Sequence, residues 1–190
     1  MKRAMIFIDG SNVFFDWNKM KSGIQMDIEK YIELVKAKFP NTDFIRTYYF
    51  TSETSSNTYF LQQVNSIPYC EVITGRLQEK PIKLNPKHGV TCSACGMPVS
   101  NGEIIVYTDK GTDVNIAVEM LKHAYNDSFD FAVLISRDAD FTSVVKIIKN
   151  LGKNVELVMF ESAKDNAQEL SANVDHIVLL STDDCKLCER

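Results

Sequence analysis

The chain has 190 residues, 45% of them hydrophobic and 24% charged, with a formal net charge of −4. That length suits one domain that can bury a core without disulfide staples, and the composition is ordinary for a soluble globular protein. The acidic balance does not advertise a chain held to nucleic acid by bulk charge, and no apolar run approaches the roughly 18 residues of a membrane span.

Met1-Lys2-Arg3 and the run Ala4 to Ile8 begin like an export signal. Asp9 interrupts that run short of the roughly 7–15 apolar residues such a signal needs, so a cytoplasmic protein with no membrane contact is expected. Met5 to Ile8 reads as a buried strand and Asn12 to Met20 as a short helix. Asp27 is a good N-cap for a helix whose apolar positions are Ile28, Tyr31, Ile32 and Val35, stopped by Pro40-Asn41. Phe44 to Phe50 reads as a strand, Thr58 to Ser66 as a helix, and Tyr69 to Thr74 as a strand closed by Gly75. Residues 76–103 hold Pro81, Pro86, Pro98, Gly89, Gly96 and Gly102, with the first cysteine pair, and read as an insertion within the domain.

Ile104 to Tyr107 resumes an extended run. Thr112 is expected to cap the next helix, with Val114, Ala117, Val118, Leu121 and Tyr125 as its buried stripe. Phe131 to Ile135 is the most hydrophobic strand, and the following helix carries Phe141, Val144, Val145 and Ile148 on one face. Val155 to Phe160, Ala163 to Ser171 and Val174 to Leu180 read as strand, helix and strand. Continuous apolar strands alternating with helices imply an α/β fold, a parallel sheet covered on both faces. The domain is expected over 1–182, with 183–190 as a tail.

Carboxylates stand at the ends of these apolar runs. Asp9 ends the first strand, Asp138 and Asp140 follow Phe131 to Ile135, and Asp113 opens a helix after Lys110-Gly111-Thr112. In an open parallel sheet the carboxyl ends of the strands form the ligand crevice. Acids converging there repel unless a hard divalent cation with oxygen ligands joins them, and such a metal is apparatus for phosphodiester hydrolysis. Gly10 allows a tight turn after Asp9, while Ser11 and Asn12 can orient the acid or a water. Ser136 can donate a hydrogen bond to Asp138 or Asp140. Each acid taken singly also fits a plain helix cap.

Asp9-Gly10-Ser11-Asn12, Lys110-Gly111-Thr112-Asp113 and Ser136-Arg137-Asp138-Ala139-Asp140-Phe141 together resemble the NYN family, a branch of the PIN-like nucleases. The resemblance implies a Rossmann-like three-layer sandwich and metal-dependent ribonuclease activity. It implies that Asp9, Asp113, Asp138 and Asp140 bind Mg²⁺ or Mn²⁺, supported by Ser11, Asn12, Lys110 and Ser136. Arg137 departs from the family pattern, which often has Gly there, and an Arg at that place can reach a phosphate.

Four of the five cysteines form two Cys-x-x-Cys pairs, Cys92/Cys95 and Cys185/Cys188. Such pairs are ingredients of a closed structural Cys₄ zinc site, a zinc knuckle in the insertion completed by the tail. Two disulfides, a redox role and zinc shared between two chains are the other readings. Cys70, inside an apolar run, reads as a core residue. His123 and His176 fall in regular elements and read as structural.

Arg76, Lys80, Lys83, Lys87 and His88 gather in the insertion. With Arg137 they are candidate phosphate contacts for RNA, single-stranded or structured. Trp17 and Tyr59 are candidate exposed stacking residues, whereas Tyr48, Tyr49 and Phe50 read as core. The competing class is a non-catalytic RNA- or protein-binding module, and a homodimer is open in either case. An aspartyl-phosphate phosphatase is disfavoured because Ser11 stands where a second acid is needed. A dinucleotide enzyme is disfavoured because no Gly-x-Gly-x-x-Gly follows the first strand.

Overall fold

The most apolar segments become the central strands of a sheet, because only there are both faces covered. The computed structural model describes residues 1–54, 56–83, 91, 97 and 103–190. Strand β1 (Lys2–Asp9) lies between β2 (Thr42–Ser52) and β5 (Phe131–Ile135) and runs parallel to both. Ile6, Phe7 and Ile8 are fully buried, each contributing about 1.5–3 kcal/mol by leaving water. Beyond β2 lie β3 (Cys70–Lys83) and β4 (Glu103–Lys110), and beyond β5 lie β6 (Asn154–Phe160) and β7 (His176–Leu180). The strand order among the described residues is β4-β3-β2-β1-β5-β6-β7, with every pairing parallel except β3 with β4.

Helices cover both faces. Helices α1 (Gly10–Met20), α2 (Ile28–Ala37) and α3 (Thr58–Asn65) send Trp17, Tyr31 and Val64 into one apolar cluster. Helices α4 (Thr112–Tyr125), α5 (Thr142–Asn150) and α6 (Gln168–Ser171) send Ile116, Met120, Val145, Ile148 and Leu170 into the other. The expected α/β sandwich with a mostly parallel sheet is therefore what forms. Asp27 caps α2 by accepting from the Lys30 amide, and the four apolar positions expected for that helix are buried. No helix among the described residues is long and apolar enough to cross a membrane.

Four local expectations are corrected. Strand β3 does not stop at Gly75; it runs on to Lys83 because β4 returns antiparallel beside it and supplies backbone partners from Arg76↔Lys110 to Lys83↔Glu103. The loop beyond, with Lys87, His88, Cys92 and Cys95, lies outside the described residues.

Helix α4 buries Thr112, Ile116, Met120 and Ala124; of the expected stripe only Ala117 and Leu121 pack partly against the core, and Val114, Val118 and Tyr125 are exposed. Its N-cap is Gly111, at φ 90°, a left-handed turn that glycine adopts without strain. Trp17 is 2% exposed, and its indole N–H donates to the Ile24 carbonyl at 2.7 Å, so it is a core residue.

The last residues are an integral element. Helix α7 (Thr182–Lys186) is opened by a capping box between Ser181 and Asp184, and the chain beyond it bonds to the loop before α2 through Asp27 N–H to Cys188 O at 2.8 Å. The capping box gives the Asp183-Asp184 stretch a helical start.

Candidate active site

Strand order reverses at β1: β2 and β3 step away on one side, β5 and β6 on the other. Chains leaving β1 and β5 therefore diverge at their carboxyl ends, and a crevice opens between them. Asp9 is the last residue of β1, and Ser136 directly follows β5. Gly10 must be glycine, because a Cβ there would stand 2.6 Å from the Tyr49 ring and 2.7 Å from the Phe50 carbonyl oxygen. The requirement is this close approach, not the turn that the sequence suggested.

Asp9 is 1% exposed. Its Oδ1 accepts from the Asn12 backbone N–H at 3.1 Å, and its Oδ2 accepts from the Asn12 side-chain amide and, at 2.9 Å, from the Ser136 hydroxyl. A carboxylate offers about four lone-pair sites, so one acceptor position on Oδ1 is left over. Ser136 Oγ also accepts from the Asp138 N–H at 3.2 Å, which ties the two acids to one hydroxyl. Asp138 Oδ1 accepts from the Asp140 N–H at 3.0 Å and caps a short 3₁₀ turn, Ala139–Phe141.

Burial raises the Asp9 pKa, three hydrogen bonds pull it back, and the nearby Asp138 charge raises it again. The expected capping roles are real, since Asp9 caps α1 and Asp138 caps the 3₁₀ turn. A cap needs no burial, however, and ordinary caps keep their charge in water.

An open cleft of about 440 Å³ adjoins these acids, lined by Ser11, Asn12, Phe15, Arg137, Asp138, Ala139 and Asn166. Arg137 is held from below, its Nε donating to Asp16 Oδ1 at 3.1 Å. Burial raises the Asp16 pKa while the Arg137 charge lowers it. Phe15 is 64% exposed on the outer side of α1. Asp16, Phe15 and Asn166 were not singled out in the sequence. The spacing of Val13 and Trp17 marks the inner face of α1 and so places Phe15 outside it, but nothing in the sequence pairs Asp16 with Arg137.

The remaining candidates are spread along the same edge. Asp113 is exposed in the first turn of α4, and Asp140 is exposed in the 3₁₀ turn. Among the described residues no group of three or more His, Cys, Asp or Glu side chains is gathered so as to hold a metal ion. Lys110 and Arg76 face each other across the foot of the β3–β4 hairpin. Strand alternation puts Arg76, Lys80 and Lys110 on one face and Lys83 on the other, so the basic stretch is divided.

Tyr59 is exposed on α3, and His176 lies 3.1 Å from Glu156. His123 meets the Tyr48 hydroxyl at 2.8 Å within the packed region beneath α4. Cys185 and Cys188 are both buried in the cluster with Tyr31, where burial raises both thiols, Cys188 to about 11. Cys70 is buried in the same cluster.

The sequence matches the NYN domain over residues 3–181, and the chain belongs to that family, which groups with the PIN-like nucleases. Among solved structures it is similar to a protein of unknown function, VPA0982, from Vibrio parahaemolyticus RIMD 2210633. The identity is 18% and the TM-score 0.63, covering 96% of this chain and 94% of that one. At that identity the likeness is one of fold. No curated protein matches the sequence.

Proposed function

We propose that the chain is a metal-dependent ribonuclease that hydrolyses RNA phosphodiester bonds in the cleft beside Asp9 and Asp138. The observation that carries this reading is a buried carboxylate at the strand-order reversal, joined through the Ser136 hydroxyl to the backbone N–H of Asp138, a second acidic residue at an open cleft. The donor set fits Mg²⁺ or Mn²⁺: the oxygens are hard ligands, and burial, with the Asp138 charge added, raises the Asp9 pKa, a penalty on the ionised acid that a cation offsets. Asp9 and Asp138 would hold it, with Asp113 and Asp140 as further acids on the same edge. When bound, the ion supplies an acidified water and charge stabilisation at the phosphoryl oxygens. Ser136 and Asn12 fix the orientation of Asp9, and Arg137, Arg76, Lys80 and Lys110 offer positive charge to the RNA backbone.

The test is cleavage of labelled single-stranded and structured RNA with Mn²⁺, Mg²⁺ or EDTA. Cutting is expected only with the divalent ion. Asp138→Asn should reduce it by about 100-fold or more, since even the partners of metal ligands are worth about 10–100-fold. The second reading, a non-catalytic RNA- or protein-binding module, is supported by the capping bonds, which would hold Asp9 and Asp138 in place without any metal. No cutting of any RNA by folded protein would select it.

For the cysteine pairs the proposal is a structural zinc held by Cys92, Cys95, Cys185 and Cys188. Thiolates are the usual zinc donors, and zinc would supply the charge needed to ionise thiols that burial otherwise keeps protonated. About one zinc per chain is expected by elemental analysis, lost equally in Cys92→Ser and Cys188→Ser.

A further inference from the structure

Arg137, Asp16 and Phe15 form a unit that the acid site does not need. Arg137 uses its Nε on Asp16, which is largely buried, and among the described residues its two terminal nitrogens take no hydrogen-bond partner. A guanidinium anchored through Nε keeps its outer edge for another ligand, and that edge suits the two oxygens of a phosphate. Phe15, on the same helix as Asp16, lines the same cleft and is exposed. Its ring meets that of Phe14, also exposed, edge to face at 5.9 Å, so the two present an aromatic surface beside the cleft. Within the cleft itself it stands with Ser11, Asn12 and Asn166, short polar groups that can hydrogen-bond a base edge or a ribose. An aromatic face, an anchored cation and small hydrogen-bonding groups together match a nucleotide whose base is free to leave its stack.

We infer that this cleft binds one unpaired nucleotide, with its base stacked on Phe15 and its phosphate on Arg137, and that Asp16 is the residue positioning Arg137. The inference rests on the nuclease reading for its location beside Asp9 and Asp138, and it names the residues that would select an unpaired nucleotide there. A base paired within a duplex cannot present a face to Phe15, so duplex RNA should be refused at this place. Asp138 also borders the cleft and repels phosphate. Arg137 is the cleft-lining cation that offsets it.

The experiment is fluorescence anisotropy of the full chain with labelled ten-nucleotide single-stranded RNA and with its duplex, in EDTA over a range of salt. Without divalent ion nothing is cut, so the result is independent of whether the protein is a nuclease. The single strand is expected to bind more tightly than the duplex. Phe15→Ala should weaken single-strand binding about tenfold, with recovery in Phe15→Tyr, because stacking on an aromatic accounts for that much per base. Arg137→Gln should lower the slope of log affinity against log salt by about 0.7, the value for one phosphate contact on a single strand. Asp16→Ala should lower the slope in the same direction, although Asp16 itself repels phosphate; a loss of fold alone would not produce that. Circular dichroism on each variant confirms folding.

Equal affinity for duplex and single strand, no single-strand binding, or wild-type affinity in both Phe15→Ala and Arg137→Gln would each overturn the inference. If Phe15→Ala instead abolished self-association seen by sedimentation, with RNA affinity unchanged, the aromatic would belong to a protein contact and the inference would fall.

Discussion

Asp9 keeps a carboxylate where water scarcely reaches. Burial, with the Asp138 charge added, raises its pKa, so the folded chain holds that proton more tightly than the unfolded chain does. Stability from this source is present below the unfolded pKa and is lost as pH rises through the raised one. Above the raised pKa the ionised acid therefore costs stability, and a divalent cation bound beside it would offset that cost. Mn²⁺ or Mg²⁺ is expected to raise the Tm of the wild-type chain and to leave that of Asp138→Asn nearly unchanged. In EDTA at pH 7, Asp138→Asn should equal or exceed wild type by up to about 1 kcal/mol, since Asn caps a turn as well as Asp does. A clear loss instead would mean that Asp138 serves only the turn. Gly10→Ala should cost about 1–3 kcal/mol by urea denaturation, because Tyr49 and the Phe50 carbonyl must move to admit the methyl group. Asp9, Ser136 and Asp138 were legible in the sequence because each sits at a strand end within a polar motif. Phe15 was legible only in part, and the partnership of Asp16 with Arg137 was not, because 121 residues separate them and no periodicity links them.

Among the elements, α4 shows where patterning runs out. Ile116, Met120 and Ala124 form one apolar stripe at helical spacing, and Val114, Val118 and Tyr125 form another. Both have the right period, and only the position of the sheet decides which is covered. The β3–β4 hairpin was hidden for a related reason: its strands are mostly exposed, so Gln78, Glu79 and Lys80 do not look like strand residues. The pairing of β1 with β5 has its own lock at the end away from the cleft. Arg3 donates from its backbone N–H to Asp130 Oδ2 at 2.7 Å and from its guanidinium to Oδ1 at 2.8 Å. These bonds hold Asp130 down to about 2. Their contribution is full above the ordinary aspartate pKa and disappears as pH falls through that lower value. Asp130→Asn should therefore lower Tm at pH 6, with the difference closing between about pH 4 and pH 2. Ser181→Ala, which removes the capping box of α7, should cost about 1 kcal/mol in the same assay.

Across the whole molecule, the cleft is assembled from segments far apart in the chain. Asp9 and Ser136 touch across 127 residues, and β1 receives one neighbour early and the other late. During synthesis at about 5–20 residues per second, β1 and β2 can meet while β5 has not yet been made. The edge of β1 that β5 will cover, with Ile6 and Ile8 beside it, must wait open for that time. Parallel pairing across such a separation is slow to form, and an uncovered apolar edge is a template for the wrong partner. The nascent chain is therefore most exposed to aggregation just before Phe131 to Ile135 arrives. No acid site exists on the ribosome until that strand docks, so whatever this protein does at Asp9 it begins to do only after synthesis has passed Ser136 and Asp138.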